Sequence, residues 1–503
     1  MQTILDAIGR HAAERGGEKA YWTAQRSWTF AQLWDAAGRT AAGLAAQGLG
    51  RGDRVACLTK HTAECVALVL GACRLGAVCM PVNWRLAPAE IDYIVKDGRA
   101  RFMMADRAFA GNTSATLLTE EFEAWASGFP ALAAQPAPSP DDTALQLYSS
   151  GTTGLPKGVE LTHANLGSGM MSAVPDAIGY RGAPDVMLNV LPTYHIAGVG
   201  VGLLTAARGG MSVLYPDFDA AAAIAAIAEH RITHAFLVPA MIQFMLAAPG
   251  AARADYSSLR GISYGASPIS EKVLVDALRT FRCDFMQVYG LTETTGAITM
   301  LPPEDHDPDG PKKDLLRSAG KPIANVQLRV VEPGTDRDCA DGAVGEVLIR
   351  SPQNMKGYWG NDQATRAAFL ADRWFRSGDA GCLKDGYLFL QDRIKDLIIS
   401  GGENIYPAEV ENALMQHPAL ADGAVIGVPD EQWGEAVKAC VVLKPGAQAS
   451  AAQIIEFMRA RIAHFKCPKS VDFLDAIPRN PTGKILKRVL REPYWRGRER
   501  RIN

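Results

Sequence analysis

The chain has 503 residues, 48% apolar and 21% charged. That is an ordinary balance for a folded globular protein, with length for roughly two to four domains at about 100–200 residues each. Lys and Arg number 52 against 54 Asp and Glu, a net charge of −2 that argues against a globally basic nucleic-acid binder. Asp6, Arg10, Glu14 and Arg15 leave no place for a signal-peptide apolar core. The longest apolar stretch, CVALVLGACRLGAVCM, is broken by Arg74 short of the ~20 residues of a membrane span. Nine cysteines show no CxxC spacing, and Cys57, Cys65, Cys73 and Cys79 sit in apolar runs. They read as buried reduced thiols, and the chain as a soluble, cytoplasmic protein.

Strand-like RVACLT (54–59), helical AECVALVLGACRLG (63–76) and strand-like AVCMPVN (77–83) make a βαβ unit and predict a parallel sheet. After the Pro-rich connector QPAPSPDD (135–142), residues 143–320 repeat the theme. LQLYS leads into a Gly-rich loop and then helix-like sequence. Helices at 219–229, 240–247 and 270–280 then alternate with THAFLVP, GISYG and FMQVYG. Short β-rich segments at 325–331, 344–350 and 386–391, separated by Gly/Asp turns, predict a small sheet or barrel over about 320–391. From 397 the pattern is a compact α+β module. The fold class is α/β: a large N-terminal domain of two α/β lobes plus a small β-barrel (1–391), a crossover DRIKD (392–396) and a small mobile α+β C-terminal domain (397–503). Residues 484–503 carry eight Lys/Arg against two Glu, either a solvated helix or a surface for anionic ligands and lipid head groups.

The segment densest in chemistry is YSSGTTGLPKGVE (148–160). Gly151, Gly154 and Gly158 let the backbone approach an anion; Ser149, Ser150, Thr152 and Thr153 supply hydroxyls and Lys157 a charge. A triphosphate asks for this combination. The spacing is not that of a Walker A loop, and no Ser or Thr follows the Lys. YGLTETTG (289–296) places Glu293 after a strand and a tight turn, where a carboxylate near a triphosphate calls for an intervening cation, so Glu293 reads as a Mg²⁺ ligand.

SSGTTGLPKG resembles the phosphate-loop signature of the adenylate-forming superfamily of acyl-CoA synthetases, luciferases and peptide-synthetase adenylation domains. PTYHIAG (192–198), YGLTET (289–294), WFRSGD (374–379), DRIKDLIISGGENIYPAEVE (392–411) and PRNPTGKILK (478–487) match in the family's order. The whole looks most like fatty-acyl or aryl-CoA ligases. The resemblance implies ATP and CoA as co-substrates with Mg²⁺. It places Tyr289 and Gly290 at the adenine, Thr292 at the α-phosphate, Gly265, Ala266 and Ser267 in the adenine wall, and Asp379 and Arg393 on the ribose. Lys484 would be the mobile catalytic lysine, whose ammonium offsets negative charge gathering at the α-phosphate. Lys395 would be the pivot, His195 a gate at the acyl and CoA channels, and Gly401 and Gly402 the border of the CoA tunnel. Arg373 stands where the family commonly has Gly and reads as surface variation.

The implied activity joins a carboxylic acid to CoA through an acyl-adenylate, one lid serving both half-reactions. The helix VPAMIQFMLAAP (238–249) has no cation, and Met241, Phe244 and Met245 suit an acyl tail. A medium- or long-chain fatty acid is the expected substrate, with a benzoate- or cinnamate-like acid as alternative. A further alternative is an adenylating enzyme that hands the acyl group to a carrier protein. The basic tail suggests weak peripheral membrane contact.

Overall fold

The structure is a computed structural model describing residues 3–111, 115–132, 138–149, 155–170, 174–401, 403–479 and 485–496. Arg54–Leu58, Ala63–Leu75 and Val78–Pro81 form the strand–helix–strand unit the sequence predicts, with the two strands parallel. The helix begins on Thr62, whose Oγ1 accepts the Cys65 N–H at 3.2 Å. Apart from Glu64, its run Ala63 to Cys73 is buried, because the sheet lies on one side of it and the helix Phe30–Ala46 on the other.

Among the described residues the strands form sheets of nine, seven, five and four. The seven-stranded sheet holds a parallel run from Leu117–Leu118 through Ala100–Ala105, Arg54–Leu58 and Val78–Pro81 to Thr143–Ser149. The nine-stranded sheet is parallel from Lys19–Trp22 through Met211–Leu214, Val186–Asn189, His234–Leu237 and Gly261–Gly265 to Asp284–Leu291. These are the two α/β lobes. One apolar cluster, running from Ile8 and Leu33 through Leu147 to Val347 and Leu388, ties both lobes to the four-stranded sheet. That sheet is antiparallel and orders Gln327–Val331, Gly345–Arg350, Phe375–Lys384 and Tyr387–Arg393.

The small C-terminal domain has its own core around Ile398, Val410, Val437, Ile454 and Met458, under five strands. Its helix Pro407–Leu414 meets the strand Tyr387–Arg393 of the large domain. Tyr406, which begins that helix, is half-buried near Cys339 and Cys382; burial first, and then those thiols, push its phenol up. All nine cysteines are unbridged, and Cys57, Cys65, Cys73 and Cys79 are buried. Among the described residues no helix is long and apolar enough to cross a membrane.

The helix-like sequence expected after the segment 148–160 is the helix His163–Met170, but the end of that segment is itself a strand, Lys157–Thr162, antiparallel to Thr143–Ser149. Val159 and Leu161 alternate into the core, a period-two pattern that favours the pleat, and the helix starts only at His163. The loop thus joins two strands of a hairpin. Arg373 is exposed as expected, yet its backbone holds φ +62°, the left-handed region open to the glycine the resemblance favours there. Its guanidinium donates to the Met355 carbonyl at 2.9 Å.

Candidate active site

The hairpin, the short strand beside it and the turn after Asp284–Leu291 bring two hydroxyls onto one carboxylate, with an ammonium nearby. Ser149, the last residue of its strand, donates its hydroxyl to Glu293 Oε1 at 2.8 Å. Tyr358, on the short edge strand Gly357–Tyr358, donates to the same oxygen at 3.3 Å. Lys157 pairs with Ser149 across the hairpin and sets its ammonium 5.1 Å from the Tyr358 ring. Glu293 lies in the 3₁₀ turn Thr292–Thr294, and its carbonyl accepts the Met355 N–H at 2.8 Å. The entry to that turn requires Gly290, where a Cβ would stand 1.8 Å from the Gly296 carbonyl oxygen.

Among the described residues Glu293 makes no ion pair; its side chain accepts from two hydroxyls. A half-buried carboxylate of this kind fits Mg²⁺, which takes one or two protein carboxylates and completes its shell with water and phosphate oxygens. Glu293 would hold it, and the ion would supply charge neutralisation at the phosphates.

A second constellation adjoins the first. Asp379 and Arg393 are cross-strand partners, with Nε 2.6 Å from Oδ1. Tyr289 donates its hydroxyl to Asp379 Oδ2 at 2.5 Å. Burial and the neighbouring Asp379 push the Tyr289 phenol well above its ordinary range, so it stays a donor. Asp379 holds the Arg393 guanidinium above its usual value despite burial, and Glu293 lies close enough to add to that. Nucleotide-sized chemistry is thus grouped: hydroxyls, a carboxylate held by hydroxyls alone, an ammonium, and a carboxylate–guanidinium pair.

Gly265 ends the strand Gly261–Gly265, and Ala266 turns the chain at φ +68° with Ser267 following, all beside the strand of Tyr289. His195 precedes the helix Ile196–Ala207. Burial, and then the charge of Arg85, push its imidazole down to about 4, and its Nε2 is buried without a hydrogen-bond partner among the described residues. It is neutral at pH 7.

Gly401 lies at φ +60° in the turn between Ile398–Ser400 and Glu403–Ile405, and its N–H donates to the Trp433 carbonyl at 2.9 Å. A Cβ there would meet the Trp433 ring at 2.7 Å. Lys395 falls in the 3₁₀ turn Ile394–Asp396, between the four-stranded sheet and the C-terminal one. Ser150, Gly151, Thr152, Thr153, Gly154, Gly402 and Lys484 lie outside the described residues.

The acyl-pocket expectation is corrected in part. Met241 and Met245 pack in the core of the second lobe, Met245 fully enclosed, whereas Phe244 is 60% exposed. Met241 and Met245, four residues apart, lie on the inner face of the helix Pro239–Ala247, and Phe244 lies on its outer face. Sequence reading missed Tyr358 and Trp433. The GYWG run, an aromatic pair between glycines, carries a signal for the first; the second is an isolated aromatic in DEQWGE.

A family model described as AMP-binding enzyme matches residues 8–359, and one described as AMP-binding enzyme C-terminal domain matches 409–484. The chain belongs to the AMP-binding enzymes. It is 39% identical over 523 aligned residues to a fatty acid–[acyl-carrier-protein] ligase, ScoC, of Streptomyces coeruleorubidus, covering 100% of this chain and 98% of the other. It is 39% identical over 486 residues to the long-chain-fatty-acid–CoA ligase FadD13 of Mycobacterium tuberculosis (93% of each). Feruloyl-CoA synthase of an Amycolatopsis species is 36% identical over 93% of this chain and 94% of its own. The structure superimposes on ATP-bound MatB of Rhodopseudomonas palustris with TM-score 0.89 and 31% identity, covering 98% of this chain and 99% of that one. The chain is an adenylating ligase of the AMP-forming acyl-CoA synthetase type.

Proposed function

We propose that this enzyme activates a medium- or long-chain fatty acid as acyl-AMP, releasing pyrophosphate, and then transfers the acyl group to the CoA thiol. The observation that carries the site assignment is the convergence of the Ser149 and Tyr358 hydroxyls on Glu293, with Lys157 beside the Tyr358 ring, next to the Tyr289–Asp379–Arg393 set. Asp379 accepts from the ribose hydroxyls, having spare lone pairs beyond those used by Tyr289 and Arg393. Ser149 to Gly154 and Lys157 receive the phosphates, and Thr292 the α-phosphate. Tyr289, Gly290 and Gly265 to Ser267 enclose the adenine. Lys484 brings a cation to the point where two anions must approach.

The domain division is 1–391, hinge 392–396 and lid 397–503, with Lys395 as pivot. After adenylation the lid turns, and the face bearing Gly401 and Gly402 admits the narrow pantetheine arm. His195, neutral and short of a partner, gates the acyl and CoA channels.

Two relatives at 39% identity bear fatty-acid names, which supports the acyl assignment. The feruloyl-CoA relative at 36% supports the aromatic alternative, and the carrier-protein ligase supports transfer to a carrier. A panel of C2–C18 acids, benzoate and cinnamates, scored for AMP release with and without CoA, separates these. Turnover with aryl acids alone sinks the fatty-acid reading. Adenylation with pyrophosphate exchange but no CoA thioester moves the acceptor to a carrier protein.

A further inference from the structure

The last described helix, Lys487–Trp495, belongs to the basic tail, yet its first cation does not face solvent. Lys487 is 9% exposed, and its Nζ stands 2.6 Å from Asp392 Oδ2 and 3.1 Å from Glu411 Oε1. One turn later, Arg491 Nη2 stands 2.7 Å from Asp396 Oδ1. The partners lie on different bodies. Asp392 is on Tyr387–Arg393, in the four-stranded sheet of the large domain, while Glu411 is on the lid helix Pro407–Leu414. Asp392 and Asp396 flank Lys395 on opposite sides. The Lys487–Asp392 pair therefore crosses the hinge, whereas Lys487–Glu411 and Arg491–Asp396 stay on its far side.

We propose that Lys487 and Asp392 form a latch across the hinge that holds the lid in its adenylation placement, making Lys487 a positioning residue for the lysine three positions before it. This rests on the reading of Lys395 as pivot and Lys484 as the lid's cation. The ammonium is buried between two carboxylates; burial lowers its proton affinity, but Glu411 and Asp392 outweigh that and push it up to about 12. It stays charged at any working pH. Rotation at Lys395 carries Lys487 and Glu411 together and leaves Asp392 behind. Lys487 so keeps Glu411 as a partner in either placement, and of its two ion pairs the one to Asp392 is specific to this placement. The chain superimposes on an ATP-bound relative with TM-score 0.89 and on the apo form of that relative with 0.77, which supports that assignment of the placement.

The latch acts on one half-reaction, so the readout is the ratio of two rates. Adenylation is measured as pyrophosphate–ATP exchange, and thioester formation as the reaction of supplied acyl-adenylate with CoA. Asp392→Asn leaves Lys487 paired with Glu411 and is expected to shift the ratio about tenfold toward thioester formation, or about 1.4 kcal/mol. Lys487→Met shifts it the same way, and Lys487→Arg returns it to within about threefold, since a guanidinium reaches both carboxylates. Glu411→Gln, confined to the lid, lowers the melting temperature without moving the ratio. An unchanged ratio in folded Asp392→Asn overturns the latch. Lys484→Ala is the separate control: if it retains adenylation, the underlying reading fails, whatever the ratio does.

Discussion

Asp379 and Arg393 face each other across two antiparallel strands, Nε to Oδ1 at 2.6 Å, only two residues before Lys395. The carboxylate proposed for the ribose is thus held by the segment from which the lid departs. Asp392, the other half of the hinge-crossing pair, is the adjacent residue. The residues proposed for nucleotide contact and for lid placement are neighbours on one strand.

Asp379→Asn should therefore weaken nucleotide binding. It keeps the shape but loses the charge that holds Arg393 and receives the Tyr289 hydroxyl. A loss of about 2 kcal/mol, or roughly 10–100-fold in KM for ATP, is expected from removing charge-assisted hydrogen bonds. Steady-state kinetics and AMP titration check it; an unchanged KM removes Asp379 from the nucleotide site.

Gly401→Ala should slow thioester formation by about tenfold or more, because a Cβ meets the Trp433 ring at 2.7 Å in a left-handed backbone that costs roughly 1 kcal/mol for an L residue. Adenylation should change far less. Equal loss in both half-reactions would mean that the turn is only structural.

Phe244 and Met245 should behave differently despite adjacency. Met245→Ala should destabilise the fold by about 2–5 kcal/mol, as for other enclosed Met side chains. Phe244→Ala, at an exposed position, should stay within about 0.5 kcal/mol in denaturant melts. If Phe244→Ala also shifts chain-length preference, the exposed ring meets the acyl tail; an unaltered preference removes it from the acyl site.

Acid should destabilise the fold through buried neutral imidazoles. Burial pushes His61 and His163 down to about 4 from an ordinary 6.5. Their folded-state values lie below the unfolded one, so protonation favours unfolding. Their contribution is present in full above pH ~6.5 and is lost as pH falls toward ~4, by up to about 3 kcal/mol per group. Denaturant melts from pH 7 to 4 should show that slope, reduced in His61→Asn. A slope identical in both proteins would contradict the assignment for His61.

Much of this was legible in the sequence because it depends on short-range pattern. The βαβ unit at 54–81 follows from apolar periodicity, and the grouping of Ser149, Lys157 and Glu293 was anticipated from two motifs. What escaped lies in pairings between distant segments. The strand Lys157–Thr162 was hidden because six residues of period two are outweighed by the helical sequence after them. Lys487 looked like one more solvated cation of a basic tail, since Asp392 and Glu411 lie far upstream. Phe244 and Met245 look alike in a helix until the sheet beneath it fixes which side is covered.

Cys339 and Cys382, partly accessible and close to Tyr406 at the start of the lid helix, offer native attachment points for a fluorophore. A dye on either thiol would sit at the seam between the domains. Its emission would then report the proposed domain displacement in real time during turnover.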